Sequence, residues 1–332
     1  MKLKSLHLKD YRNCQDLSLI FDKKKILIIG KNAQGKTNIL ESIYFLSTLK
    51  TPRTSNIQEL IKFETEYFKI EAELVKANTD IDLCYIYNNE KKREIKINKV
   101  KSSAKDLKTA LTTVLFSTTD LLLLRGTPQD RRDWLDRAIS QIYPAYDDRL
   151  SKYDKIRIQK NNYLKECAKT GTFNKELLEV YNEQLSITGS NIIYIRKKFL
   201  KEIEKLAKNK HKKISETEDL KIEYNCNFAE KLPKTLNDEN LTIEEIQFAF
   251  LEALEERQTE ELRRCMSCVG PHRDDISFFI NSQEATKFAS QGQQRTIVLA
   301  LKLSELDIIT QKTGDEPILL LDDVLAELDD IR

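Results

Sequence analysis

The stretch Gly30-Lys31-Asn32-Ala33-Gln34-Gly35-Lys36-Thr37 decides the fold. It meets the pattern G-x-x-x-x-G-K-[S/T] at all four fixed positions. Its flanks are also those the pattern needs: an apolar run at 26–29 expected to be a strand, and an amphipathic run at 37–46 expected to be a helix. Gly30 and Gly35 allow backbone N–H groups to close around a phosphate, and the helix N-terminus adds its positive dipole end. Lys36 places a point charge on the β- and γ-phosphates, and Thr37 offers a hydroxyl to Mg²⁺. The plain alternative is a glycine-containing turn that binds nothing, and such a turn has no need of strand, loop, helix and all four positions together.

A second signal lies near the other end. Ile318-Leu319-Leu320-Leu321-Asp322-Asp323 is four apolar residues followed by two acids. The run reads as a central parallel strand buried on both faces, with Asp322 at the carboxyl end where open α/β sheets take ligands. Asp322 is then the Mg²⁺-side carboxylate of a Walker B strand. Asp323 is placed to polarise an attacking water, which makes Lys36, Asp322 and Asp323 the candidate catalytic set. Upstream, Ser290-Gln291-Gly292-Gln293-Gln294-Arg295 opens a predicted helix and resembles the ABC signature. The Ser290 hydroxyl and the bare Gly292 N–H can meet a γ-phosphate, with Gln293 beside them. An ordinary serine helix cap is the alternative. Ala326-Glu327-Leu328-Asp329 matches a D-loop.

Between these ends the periodicity changes. The first hundred residues read as strands: 2–8, 17–21, 25–29, 67–75, 81–87 and 92–97, the last pairing with 81–87 across Asn88-Asn89, followed by a short buried strand at 112–116. From Gln129 the spacing is helical, with long charged helices over 152–168 and 175–208. Thr242 and Glu245 form a capping box opening a helix expected to run through Phe248 to Leu262. Strand character returns at 276–280, then helix at 292–310. The fold class expected is α/β: a P-loop head with a mixed sheet and helices, interrupted by an inserted helical lobe. The expected division is 1–125 with 262–332, and 126–261.

Composition bounds the rest. The chain has 332 residues, 40% of them hydrophobic and 33% charged, with a net charge of +2. It can build a packed core, and a nucleic-acid partner cannot be argued from overall charge, only from local basic patches. The start alternates like a strand, with no secretion-type apolar core, and no apolar run is long enough to span a bilayer. The six scattered cysteines read as reduced thiols of a cytoplasmic protein. Cys265 and Cys268, with His272 nearby, make one CxxC, too few ligands for a structural metal. Local basic clusters lie at 91–108 and along Arg196, Lys197, Lys198, Lys201 and Lys205 to Lys213. Either is a candidate phosphate-binding face, although interleaved acids make a solvated face the stronger reading.

With these motifs in place the chain resembles the RecF family of ABC/SMC-type ATPases. Leu8-Lys9-Asp10-Tyr11-Arg12-Asn13, the loop with Asn38-Ile39-Leu40-Glu41, Phe116-Ser117 with Asp120-Leu121, Gly126-Thr127-Pro128, Arg131-Arg132, Leu135-Asp136 and Gly270-Pro271-His272-Arg273-Asp274-Asp275 all fall in family order. The resemblance implies an SMC-like head without a long coiled-coil arm. It implies ATP and Mg²⁺ as cofactors, an ATP-dependent homodimer in which each signature faces the partner's nucleotide, and weak DNA-stimulated ATPase activity. It implies binding to duplex or single-strand/duplex junctions, work with RecR and RecO, and help in loading RecA at gaps. Arg12 and Asn13 are implied to lie beside the nucleotide, with Lys31, Asn32, Ala33, Gln34 and Asn38 in its cradle. Two departures stand out: Ala33 replaces a glycine, and Thr118-Thr119 replace Pro-Glu. The resemblance also implies a further helix and strand beyond Arg332, so the chain reads as C-terminally shortened. A head that binds ATP without cleaving it is one alternative, and a transporter ATPase subunit is another. The 270–275 segment and the Arg131-Arg132 pair do not fit a transporter, and no NKxD motif points to GTP.

Overall fold

The computed structural model describes residues 1–31, 34–54 and 56–322. Asn32, Ala33, Asp323 and the D-loop at 326–329 lie outside the described residues. The chain divides into two compact units, Met1–Asp120 with Lys302–Arg332, and Leu121–Leu301.

In the first unit the alternating N-terminal residues form β1 (Lys2–Tyr11), paired antiparallel with β2 (Cys14–Ile20). β1 buries Leu3, Leu6, Leu8 and Tyr11. The three-residue step from Leu3 to Leu6 coincides with a register shift between Leu3 and Ser5, a bulge that returns the apolar side chains to the core. After α1 (Lys36–Thr48) come β3 (Tyr67–Lys76), β4 (Thr79–Asn88), β5 (Arg93–Ile97) and β6 (Val100–Lys101). They complete a six-stranded antiparallel sheet of order β2-β1-β3-β4-β5-β6. Phe45 from α1 meets Phe68 and Tyr85 edge-on, at ring separations of 6.0 and 5.0 Å, and so seats the helix on the sheet. α2 (Ala104–Ala110) starts at a Ser103/Asp106 capping box. β7 (Thr113–Ser117) follows it and is buried, as its sequence predicts.

In the second unit α3 (Leu122–Arg125), α4 (Pro128–Ile142), α5 (Ala145–Thr170) and α6 (Lys175–Ile214) lead to β8 (Leu220–Asn225). The 40 residues of α6 extend about 60 Å at helical rise. α7 (Ile243–Glu256) and α8 (Gln258–Arg264) precede β9 (Asp275–Ile280), β10 (Gln283–Glu284), α9 (Ala285–Phe288) and α10 (Gln291–Thr313). The Thr242/Glu245 capping box forms, but the helix it opens ends at Arg257, and Phe248 stays exposed. β8, β9 and β10 form an antiparallel sheet. Because β9 pairs with β8, the stretch 262–301 belongs to this unit, and the chain divides at 120/121 and at 301/302, the latter within α10, where periodicity drew 125/126 and 261/262.

The last described strand, β11 (Ile318–Asp322), returns to the first unit and pairs in parallel with β7. Two sequence expectations are corrected here. Residues 26–30 join no sheet, and Ile26, Leu27 and Ile29 are exposed. β11 is likewise not buried on both faces, since Leu319 and Leu321 are each 43% exposed in a two-stranded ladder. An apolar run specifies side chains, not neighbours: 26–30 finds no strand to pair with, and β11 pairs with β7 alone among the described strands.

Candidate nucleotide-binding site

The first turn of α1 is where backbone donors converge. Gly35 is its N-cap at φ +87°, with no side-chain hydrogen bond capping it. A Cβ at this position would lie 3.0 Å from Asn13 Oδ1, so the positive φ favours glycine and the close approach adds to that. The first-turn N–H groups of the helix thus carry no side-chain cap and suit an anion. Lys36 Nζ folds back onto the loop, donating to the carbonyls of Gly30 at 2.7 Å and Lys31 at 2.9 Å.

Around this turn lies a cleft of about 770 Å³ lined by Arg12, Asn13, Gln34, Gly35, Lys36, Thr37, Asn38, Arg53, Glu59, Ile61 and Phe63. Asn38 Nδ2 donates to Asn13 Oδ1 at 2.6 Å and ties the β1–β2 turn to the helix. Thr37 Oγ1 donates to Asp322 Oδ1 at 3.1 Å, across a sequence separation of 285. The loop threonine and the strand-end carboxylate therefore present two hard oxygen ligands at one point.

Beneath the cleft Glu41, 1% exposed, accepts from two arginines. Arg12 reaches it at 2.9 and 3.2 Å, and Arg53 Nη2 at 2.7 Å. Arg53 also donates to Asn38 Oδ1. Burial alone raises the Glu41 carboxyl. The hydrogen bonds from Arg53 and Arg12 outweigh it and hold the group below the usual carboxylate range. Arg12 takes φ +54°, and its own N–H donates to the Leu60 carbonyl. Sequence reasoning gave Arg12 and Asn13 a place at the site but gave none to Arg53, Glu41 or Phe63. Glu41 was legible as one helical turn beyond Thr37, on the same face. Arg53 sits in irregular chain, and nothing in its local pattern marks it.

Ser290, Gly292 and Gln293 belong to the second unit, at the start of α10. Ser290 Oγ accepts from the Gln293 N–H at 3.2 Å, and Gln293 Oε1 accepts from the Ser290 N–H at 2.8 Å, a reciprocal cap.

The remaining motifs of that unit close on one another. Arg131 grips Asp275 with two bonds of 2.7 and 2.8 Å. Arg132 donates to the Asp274 carbonyl. Asp136 receives Arg196 at 2.9 and 2.8 Å and the Tyr146 hydroxyl at 2.6 Å. Asp274 accepts from Tyr224 and the Asn227 N–H. Burial pushes the Asp274 carboxyl up to about 6 and the His272 imidazole down to about 3. His272 bonds Tyr153 and the Ser267 carbonyl, while the Cys265 and Cys268 thiols point to the Leu262 and Met266 carbonyls. Among the described residues no group of three metal-type ligands converges.

The basic cluster on α6 is partly withdrawn. Arg196 is buried, Lys197 donates to the Asp238 carbonyl, Lys201 pairs with Glu239, and Lys198 lies 4.4 Å over the Tyr194 ring. Among the described residues no helix is long and apolar enough to cross a membrane.

A family model described as the RecF/RecN/SMC N terminal domain matches residues 2–332. A protein called DNA replication and repair protein RecF, from Natranaerobius thermophilus, is 40% identical over 343 aligned positions, covering 100% of this chain and 86% of that protein. Its namesake from Thermosynechococcus vestitus is 42% identical, over 99% and 85%. A solved structure described as the recombination mediator protein RecF with ATP in the RecFOR pathway is similar with a TM-score of 0.91 and 35% identity, over 99% of this chain and 86% of that one. Sequence likeness along the whole chain and fold likeness along the whole chain agree, and on both grounds the chain belongs to the RecF family of DNA replication and repair proteins, with its ABC/SMC-type ATPase-head fold.

Proposed function

We propose that this chain is a nucleotide-switched DNA-repair ATPase head. It binds Mg-ATP in the cleft at the start of α1, and two copies then close around two nucleotides, with Ser290, Gly292 and Gln293 of each facing the γ-phosphate held by the other. In that state it engages duplex or junction DNA and acts with RecR and RecO to help RecA load at single-strand gaps. The observation that carries the reading is the 3.1 Å contact between Thr37 Oγ1 and Asp322 Oδ1. One hydroxyl and one carboxylate suit Mg²⁺, which takes few protein oxygens and leaves its other positions to phosphate and water. When bound, the ion neutralises phosphate charge. Gly30, Lys31, Asn32, Ala33, Gln34, Gly35 and Asn38 would make up the cradle, Lys36 turns from the Gly30 and Lys31 carbonyls onto the β- and γ-phosphates, and Arg12 and Asn13 flank the nucleotide. Asp323 polarises the attacking water. The solved RecF–ATP structure supports the choice of ligand.

Calorimetric titration with Mg-ATP tests the reading. Lys36→Ala should weaken binding by about a hundredfold, from loss of charge-assisted bonds, and unchanged affinity would overturn it. Sedimentation with and without ATP tests the dimer. Phosphate release by Asp323→Asn compared with the unaltered chain separates a slow ATPase from a binding switch, since equal rates mean a switch.

A further inference from the structure

Two neighbouring glutamines hold the Ser290 turn, and each spends both ends of its amide. Gln293 Oε1 accepts from the Ser290 N–H, while Gln293 Nε2 donates to Glu218 Oε1 at 3.0 Å. Gln294 Nε2 donates to the Ala289 carbonyl at 3.1 Å, while Gln294 Oε1 accepts from Arg125 Nε at 2.7 Å. The inner ends thus hold one N–H and one C=O of the turn, and the outer ends rest on one carboxylate and one guanidinium.

The chemistry of the outer groups sets the amide orientation. An ionised carboxylate only accepts, so Glu218 takes the NH₂ end of Gln293 and leaves its oxygen for the Ser290 N–H. A guanidinium only donates, so Arg125 takes the oxygen of Gln294 and leaves its NH₂ for the Ala289 carbonyl. With either charge reversed, the amide turns over and presents a donor to a donor or an acceptor to an acceptor. Glu218 sits in the α6–β8 connection, with its second oxygen 3.5 Å from Nε2 of the buried His211. Arg125 ends α3. Neither residue belongs to a motif that the sequence pattern singles out.

We propose that Glu218 and Arg125 are positioning residues for the signature turn: by fixing the Gln293 and Gln294 amides they preset Ser290 for the nucleotide of a second copy. This rests on the proposed role of Ser290 in the ATP-bound dimer.

The test uses the full chain and measures two quantities, the ATP affinity of the monomer by calorimetry and the dissociation constant of the ATP-bound dimer by sedimentation. Glu218→Lys and Arg125→Glu should each weaken the dimer by about tenfold or more, the scale of a bond to a charged group. Both should leave monomer ATP affinity within about twofold. Glu218→Gln still offers an oxygen to Gln293 Nε2 and should hold the dimer within about threefold of the unaltered chain. Arg125 is exposed, so its reversal applies the same logic without disturbing the core, should Glu218→Lys fail to fold. The inference is overturned if both reversals dimerise like the unaltered chain, or if Glu218→Gln loses as much as Glu218→Lys. An unaltered chain that stays monomeric with saturating ATP sinks the reading of Ser290 itself, and the positioning role with it. A dimer indifferent to both reversals sinks only the latter.

Discussion

Both units build arginine–carboxylate constellations around family-motif residues, and the two differ in what they leave open. In the first, Arg12 and Arg53 hold Glu41 beneath the cleft while their own side chains line it, at 20% and 41% side-chain exposure. In the second, Arg196 is 3% exposed and spends its guanidinium on Asp136, Tyr224 and the Pro271 carbonyl. The first cluster leaves cationic surface open to the cleft. The second has bonded its charge internally and acts as a bolt joining α4, α6 and the 270–275 segment. The segments at Arg12 and at 270–275 both fall in family order in the sequence. Both sets of guanidiniums are hydrogen-bonded, and what separates the two is exposure: Arg12 and Arg53 stay open to the cleft, whereas Arg196 is closed in.

That comparison breaks most sharply at Arg196. Arg196→Met leaves Asp136 buried without its partner and should cost about 3–5 kcal/mol of stability, read by thermal unfolding. ATP affinity measured on the folded fraction should not change, and a large affinity loss would mean the second cluster is no mere bolt.

The next effect is pH-dependent and confined to the closed cluster. His272 has a folded value near 3 against 6.5 unfolded. The unfolded chain therefore takes up the proton first, and this contribution falls as pH drops below 6.5, by about 2 kcal/mol at pH 5. Asp274 runs the other way. Its folded value near 6 exceeds 3.8, so the folded chain protonates first, and its contribution rises as pH falls from 6 toward 4. Comparing urea midpoints at pH 7 and pH 5 for the unaltered chain and His272→Gln isolates the first effect. Equal shifts in both would remove His272 as its source.

In the open cluster the expected losses are functional. Glu41→Gln loosens both arginines and should weaken Mg-ATP binding by about tenfold in calorimetry, one hydrogen-bonded charge being worth that much. Unaltered affinity would reduce Glu41 to a structural acid. The smallest effect belongs to Arg53→Ala. Its side chain is 41% exposed and Arg12 still holds Glu41, so stability should move by no more than about 1 kcal/mol. A larger loss in thermal unfolding would show that the two clusters are alike after all.

Much of this was readable along the chain. β3, β4, β5 and β7, the α5–α6 pair and the Thr242 cap all appear where alternation, helical spacing and cap chemistry put them. The run at 26–29 and the burial of β11 were misread, because apolar composition does not name a strand's neighbour. The 262–301 stretch was misassigned because β9 takes its partner from β8, some fifty residues upstream. Arg53 and Glu218 were invisible, since each acquires its role from a residue that local pattern does not connect to it.

By itself the amino-acid order determined the candidate phosphate-binding turn, because Gly35, Lys36 and Thr37 are adjacent and its geometry depends on backbone conformation and helix polarity over a single turn. Only the tertiary structure decided that Thr37 meets Asp322, that Glu41 is held from both Arg12 and Arg53, and that the 270–275 segment closes on Arg131 and Arg196. Short-range geometry is encoded by neighbours in the chain, whereas the choice of a distant hydrogen-bond partner is made by the packing of whole elements around a core.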